Sequence, residues 1–236
     1  MLNVRKIYNK FAPRNTMDLK AAIFDLDGTL VYTLPEYRQM VVTGVLAELG
    51  ITEYPLGFID QFWFYGNRSQ RIREELGIEP ESFFQLWESH DTKERRETHT
   101  RMFDDVDYLH KLKERGYRLG VVTGGSPHVK DVNVNLLGSQ LFDAVVCANP
   151  FALPLFRSKP DPAGLLYCLQ QLGVSPAEAL YVGNGDEDVL AAQNAGVLDV
   201  LILRGEHEPP KVNASLRIQK LYELDALFCS DLDLLK

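Results

Sequence analysis

Asp25 and Asp27 stand two residues apart, directly behind the apolar run Ala21-Ala22-Ile23-Phe24 and just ahead of Gly28 and Thr29. A short apolar run bounded by a turn residue reads as a buried strand. Side chains alternate along a strand, so residues two apart start on one face. Both carboxylates then lie at the strand's carboxyl end, where Gly28 releases the backbone into a turn. Two carboxylates at that end of an α/β sheet can serve a hard cation, a general acid/base pair, or both.

Three further polar stretches follow in order: Val121-Val122-Thr123-Gly124, Lys159-Pro160-Asp161-Pro162, and Val182-Gly183-Asn184-Gly185-Asp186-Glu187-Asp188. A threonine hydroxyl with following glycine N–H groups can bind phosphoryl oxygens. A lysine ahead of Pro-Asp-Pro sits on restricted backbone that can hold its side chain in place. The pattern Asp-x-Asp-Gly-Thr-Leu at Asp25 to Leu30 resembles the first motif of the haloacid dehalogenase superfamily in its phosphatase form. The other three stretches match that family's later motifs, and the resemblance runs from about residue 20 to about residue 205.

The resemblance implies a role for each motif. Asp25 would be the nucleophile, forming an aspartyl-phosphate that water then hydrolyses. Asp27 would be the acid/base, with its backbone carbonyl on a magnesium ion. Thr123 and Gly124 would bind the phosphoryl group, and Lys159 would neutralise it and the nucleophile. Asp25, Asp27, Asn184 and Asp188 would surround the metal. Here the chain departs from the family, which places an Asp where Asn184 stands. An amide oxygen can still ligate magnesium, but one negative charge is lost.

These residues need a scaffold. Short apolar runs at Arg118–Thr123, Phe142–Cys147, Ala179–Val182 and Val200–Leu203 alternate with helical patterns at 104–115, 127–137, 162–172 and 188–195. That alternation predicts a parallel sheet covered on both faces, an α/β Rossmann-like core with the motifs at one edge. Ser175-Pro176-Ala177-Glu178 is a capping-box pattern, and a short helix around Tyr222–Phe228 is expected to close the chain. Between residues 34 and 103 only helical spacing appears, at 35–49, at 68–76 and from Pro80 to about Thr98. This stretch is too long for a βα loop. By resemblance it is a helical cap inserted after the first strand, so 18–33 and 104–236 form the core and 34–103 the cap. Phe58, Phe62, Trp63, Phe64 and Tyr65 read as cap core, with Arg38 or Arg68 as candidate contacts for an anionic substrate group. The mixed-charge stretch Asp91–Arg101 reads as a solvated helix, with Asp91 facing Arg95.

The remaining composition sets bounds. The 236 residues carry a formal net charge of −8 and no basic block, which argues against non-specific nucleic-acid binding. No apolar stretch approaches the ~20 residues of a membrane span. Residues 1–17 hold Arg5, Lys6, Lys10 and Arg14 and no apolar run of secretory type, and read as an N-terminal extension. Cys147, Cys168 and Cys229 are far apart and read as small apolar residues of a reducing, cytoplasmic protein. His90 and His99 are expected in solvent, and His128 at a helix terminus. An exposed apolar seam is not distinguishable from core in the sequence, so the oligomeric state stays open.

The expected function is a magnesium-dependent phosphatase acting on a small phosphorylated metabolite, as in phosphoglycolate phosphatase-like members. A phosphosugar mutase is the alternative within the family, and a catalytically weakened binder of phosphorylated ligands is the alternative outside enzymes. Dehalogenases of the family lack the Asp-Gly-Thr continuation seen at Asp27.

Overall fold

Strand β1 (Ala21–Phe24) has no exposed face, because all four side chains are fully buried. A strand buried on both sides must lie inside a sheet covered by helices. In the computed structural model, which describes residues 18–149 and 156–228, β1 is a central strand. It pairs in parallel with β4 (Arg118–Thr123) on one side and β6 (Ala179–Gly183) on the other. With β5 (Ala144–Cys147), β7 (Leu198–Ile202) and β8 (Leu216–Ile218), the sheet runs β5-β4-β1-β6-β7-β8. From β1 the order builds outward in both directions, so the crevice of an open α/β sheet opens where β1, β4 and β6 end.

Before β4 lies α6 (Tyr108–Glu114), and between β4 and β5 lies α7 (Pro127–Leu137). Helices α8 (Ala163–Leu172) and α9 (Asp186–Ala195) flank β6 in sequence, and α10 (Asp225–Phe228) ends the described chain. One apolar cluster joins Phe24, Leu119, Val121, Leu180 and Val182 to α6 and α7. A second joins Ile23, Val122 and Tyr181 to Cys168 and Leu169 of α8. The α/β class and the strand–helix alternation expected for the core hold, with β8 as a strand the sequence did not announce. The capping box at Ser175 and Glu178 opens a short 3₁₀ turn, Pro176–Glu178. The extension 1–17 and Cys229 lie outside the described residues.

The helical insertion is a separate layer. It contains α1 (Pro35–Glu48), α2 (Phe58–Phe64), α3 (Arg68–Arg71, continuing as a π turn to Leu76), α4 (Pro80–His90) and α5 (Lys93–His99). Val42, Val45, Leu46, Phe58, Phe62, Ile72 and Phe83 form its own core. At its base, β2 (Val31–Thr33) and β3 (Thr100–Met102) pair antiparallel, joining entry and exit of the insertion in a ribbon. Helical spacing alone gave no sign of β3, which is only three residues long.

One expectation for this layer is overturned. The single helix expected from Pro80 to about Thr98 breaks at Asp91, whose backbone leaves the helix, and Thr92 caps α5 through its hydroxyl. Asp91 and Arg96 are 2% and 6% exposed, so the stretch is not a solvated helix. Asp91 pairs with Arg96 instead of Arg95, because the break shifts the facing residue by one. His99 stacks on Tyr37 at 5.2 Å between ring centres, and His90 Nε2 lies 2.9 Å from Glu48. Neither histidine is free in solvent.

Candidate active site

Asp25 begins the loop after β1 and is itself tied to the sheet, its N–H donating to the Val182 carbonyl at 2.9 Å. Its carboxyl is buried, at 5% exposure. Oδ1 accepts from Lys159 Nζ at 2.7 Å, while Oδ2 lies 3.4 Å from the Thr29 hydroxyl. The same hydroxyl is 3.4 Å from Asn184 Oδ1, so a carboxylate oxygen and an amide oxygen face one point from β1 and β6. Lys159 also binds Asp188 Oδ1 and lies 3.3 Å from Tyr181 Oη. Asp188 is fully engaged: Tyr181 Oη donates to its Oδ1 at 3.1 Å, and the Gly185 N–H to its Oδ2 at 3.0 Å.

Charge in this pocket is crowded. Burial pushes the Asp25 carboxyl up to about 7, with Asp188 adding to the rise and Lys159 working against it. Burial opposes the charge on Lys159, yet Asp188 and Asp25 outweigh it and hold its pKa well above the ordinary value. Glu187 is likewise raised to about 7 by burial and by Asp188. Lys159 is therefore shared by two buried carboxyl groups, with the raised Glu187 beside them, and the pocket is short of positive charge. A dianionic phosphoryl group entering it calls for a further cation.

Asp27 stands apart from this cluster and is more open, with a side chain 38% exposed. Its Oδ1 accepts from Arg96 Nη1 at 3.2 Å and its Oδ2 from Asn133 Nδ2 at 3.0 Å. Thr123 closes β4, and its hydroxyl accepts the Gly125 N–H at 3.1 Å. The Gly124 backbone packs beside the Lys159 side chain. The structure therefore brings Asp25, Lys159, Asn184 and Asp188 together, with Thr123 and Gly124 bordering them and Asp27 alongside.

The loop carrying Asp25 is fixed by packing as well as by hydrogen bonds. Arg204 donates twice to the Thr29 carbonyl, at 3.0 and 2.7 Å, and pairs with Asp105 at 2.8 Å. Gly28 has φ +78°, and a Cβ there would meet Asn184 Nδ2 at 2.2 Å. Only glycine fits both the turn and the close approach. We expect Gly28→Ala to lower the melting temperature by several degrees, from strain of about 1–2 kcal/mol plus the displaced Asn184. Thermal unfolding checks this, and an unchanged transition would show that the loop can relax.

Arg38 and Arg68 separate. Arg68 is exposed, and donates to the Phe62 and Trp63 carbonyls at 3.0 and 2.8 Å, finishing α2. Arg38 is buried over the Phe64 ring, with Nη1 on the Thr33 carbonyl at 3.1 Å. Its Nε is buried without a hydrogen bond. Facing it from the loop after β7 is Glu206, 3.9 Å from Nη1 and raised to about 7 by burial against the opposing pull of Arg38. His207 follows, packed against Phe64 at 4.9 Å and within 3.4 Å of Asn184. Glu206, His207, Arg96 and Asn133 belong to none of the four motifs. A polar loop after another strand of the same sheet was the available signal for the first two. An asparagine inside the apolar face of α7 was the signal for the last.

Among the described residues, no cluster of three or more His, Cys, Asp or Glu side chains forms a metal cage. The oxygens that do converge, Asp25 Oδ2 and Asn184 Oδ1, are hard donors of the kind magnesium accepts alongside water. They fit such an ion.

The model of the haloacid dehalogenase-like hydrolase family matches residues 22–202, and the chain belongs to that family. It is a hydrolase of the phosphatase type. A phosphoglycolate phosphatase of Psychrobacter arcticus is 31% identical over 193 residues, covering 77% of this chain and 82% of that protein. The pyrophosphatase PpaX of Bacillus velezensis is 29% identical, covering 75% of this chain and 79% of its own. Among solved structures, a HAD phosphatase from Thermococcus onnurineus superposes with a TM-score of 0.64 at 27% identity, over 89% of this chain and 98% of that one.

Proposed function

We propose that this chain hydrolyses a small phosphate monoester through a phosphorylated Asp25. The observation that carries the reading is the asymmetric Asp25 carboxyl. One oxygen is held by Lys159, and the other faces the space between Thr29 and Asn184. In the first step the Asp25 carboxylate forms a bond to phosphorus as the ester P–O bond breaks. The departing electron pair stays on the ester oxygen, which takes a proton from Asp27. In the second step water attacks phosphorus, its proton passes to Asp27, and Asp25 leaves as free carboxylate. Lys159 and the N–H groups of the Thr123–Gly124 loop offset charge on the phosphoryl oxygens.

Magnesium would be held by Asp25, the Asp27 carbonyl and Asn184, with Asp188 supporting through Lys159, and would supply positive charge that the pocket lacks. Asn184→Asp is isosteric, so it changes charge without changing the fit against Gly28. It is expected to lower the magnesium concentration needed for half-maximal phosphate release. An unchanged magnesium requirement would remove residue 184 from the metal shell.

The two relatives are named for phosphoglycolate and for pyrophosphate, which share a phosphoryl group and differ in what leaves. We assign selection of the leaving part to the insertion face, with Arg38, Phe64, Glu206 and His207 around it. The test of the whole reading is release of inorganic phosphate from a panel of small esters with magnesium or with EDTA. Release that needs magnesium supports it. Stoichiometric binding of a phosphorylated ligand without turnover supports the second reading, a phosphate-ligand binder, which Asn184 alone favours.

A further inference from the structure

Asp91 and Arg96 form a buried ion pair at the break between α4 and α5, and its hydrogen bonding is nearly complete. Asp91 Oδ1 accepts from Tyr37 Oη and Arg96 Nε, both at 2.6 Å. Asp91 Oδ2 accepts from Arg96 Nη2 and Trp87 Nε1, both at 3.0 Å. The Asp91 backbone carbonyl faces His128 Nε2 of α7 at 2.7 Å. The rings of Tyr37 and Trp63 flank the guanidinium at 5.7 and 5.6 Å. A pair taken out of water this way is costly unless it is well satisfied, and replacing it by apolar groups would often be neutral. Its presence calls for another reason.

That reason is the third nitrogen. Nε and Nη2 already satisfy Asp91, and Nη1 extends to Asp27 Oδ1 at 3.2 Å. Asn133, fully buried on α7, holds the other oxygen of Asp27. Asp27 is thus gripped from two layers, by the insertion through Arg96 and by the core through Asn133. Each carboxyl oxygen has two acceptor positions, so one contact on each leaves room for the transferred proton.

We propose that Arg96 is a positioning residue that orients Asp27 for proton transfer to the leaving oxygen, so that the acid is aligned only when the helical insertion is docked on the core. The inference rests on the phosphatase reading above. Its signature is dependence on the leaving group. An alkyl alkoxide leaves poorly and needs a well-placed acid, whereas p-nitrophenolate leaves almost unaided.

The experiment compares kcat/KM for an alkyl phosphate and for p-nitrophenyl phosphate in wild type, Arg96→Lys and Arg96→Met. Arg96→Met is expected to lose about 10²–10³-fold on the alkyl ester, within the range of general acid catalysis, and about tenfold or less on the aryl ester. Arg96→Lys should recover part of the alkyl activity. Because Arg96→Met strands a buried carboxylate, the double variant Asp91→Asn with Arg96→Met is measured beside it and should show the same ester ratio. Equal losses on both esters, in the single and the double variant, overturn the role of Arg96 and leave the phosphatase reading standing. A wild type that releases phosphate from neither ester overturns that reading and this inference with it.

Discussion

Asp25→Asn is expected to abolish phosphate release and also to make the protein more stable above neutral pH. The first effect is the loss of the attacking oxygen, and a drop of about four orders of magnitude or more in kcat is expected for a nucleophile. The second follows from the sign of the pKa shift. Burial, helped by Asp188 and opposed by Lys159, raises the folded carboxyl to about 7. The unfolded group titrates near its ordinary value of about 4. Between those values the native state binds more protons than the unfolded state, so stability falls as pH rises from about 4 to about 7. Below that window the full stability is present. Asparagine never ionises, so the variant should not show this decline, and at pH 8 it should exceed wild type by about 2–4 kcal/mol. Thermal unfolding in EDTA across that range measures the difference. A variant less stable than wild type at pH 8 would mean that the Lys159 pair outweighs the cost of burying the Asp25 charge.

The parts legible in the sequence are those where one residue type at one spacing has a single physical use. The run Ala21 to Phe24 could only be an interior strand, and its following Asp25, Asp27 and Gly28 had to fall at the sheet edge. Thr123 and Gly183 with Asn184 end strands of the same sheet, and only their order after the first motif distinguishes them from ordinary loops. Lys159 was placed by resemblance, and its loop lies far from Asp25 in sequence, so spacing alone gives no distance between them. Contacts made across layers were not legible at all. Asp91 and Arg96 lie amid Lys93, Glu94, Arg95 and Glu97, and their charges look identical to those of neighbours that stay in water. Only the break after His90 turns them inward, and that break has no glycine or proline to mark it. Glu206 and His207 come from a loop whose position depends on where β7 joins the sheet. Arg204 hides its purpose for the same reason, since its partners Thr29 and Asp105 lie 175 and 99 residues away in sequence.

Lys159→Met is expected to be costly in both stability and catalysis, with only the stability loss relieved by acid. The Lys159 side chain is 8% exposed, with its ammonium 2.7 Å from Asp25 Oδ1 and also bound to Asp188. Removing it leaves Asp25 and Asp188, among the described residues, with no cation paired to either. Breaking a buried pair by deleting one partner costs about 3–5 kcal/mol, because the remaining charge keeps its desolvation penalty. That cost exists only while the carboxyls are ionised. Protonation removes it, so the variant should approach wild-type stability as pH falls toward about 4 and diverge from it above neutrality. Catalysis cannot recover in the same way, because a protonated Asp25 is no nucleophile. We expect kcat to fall by about 10²–10³-fold, the range for a lost charge-stabilising group, at every pH where wild type is active. The double variant with Asp188→Asn separates the two effects. It should regain stability at pH 8, since one orphaned carboxylate is gone, without regaining turnover. Recovery of turnover by Asp188→Asn would show that Lys159 serves only to neutralise Asp188, and would move the phosphoryl contact to the Thr123–Gly124 loop.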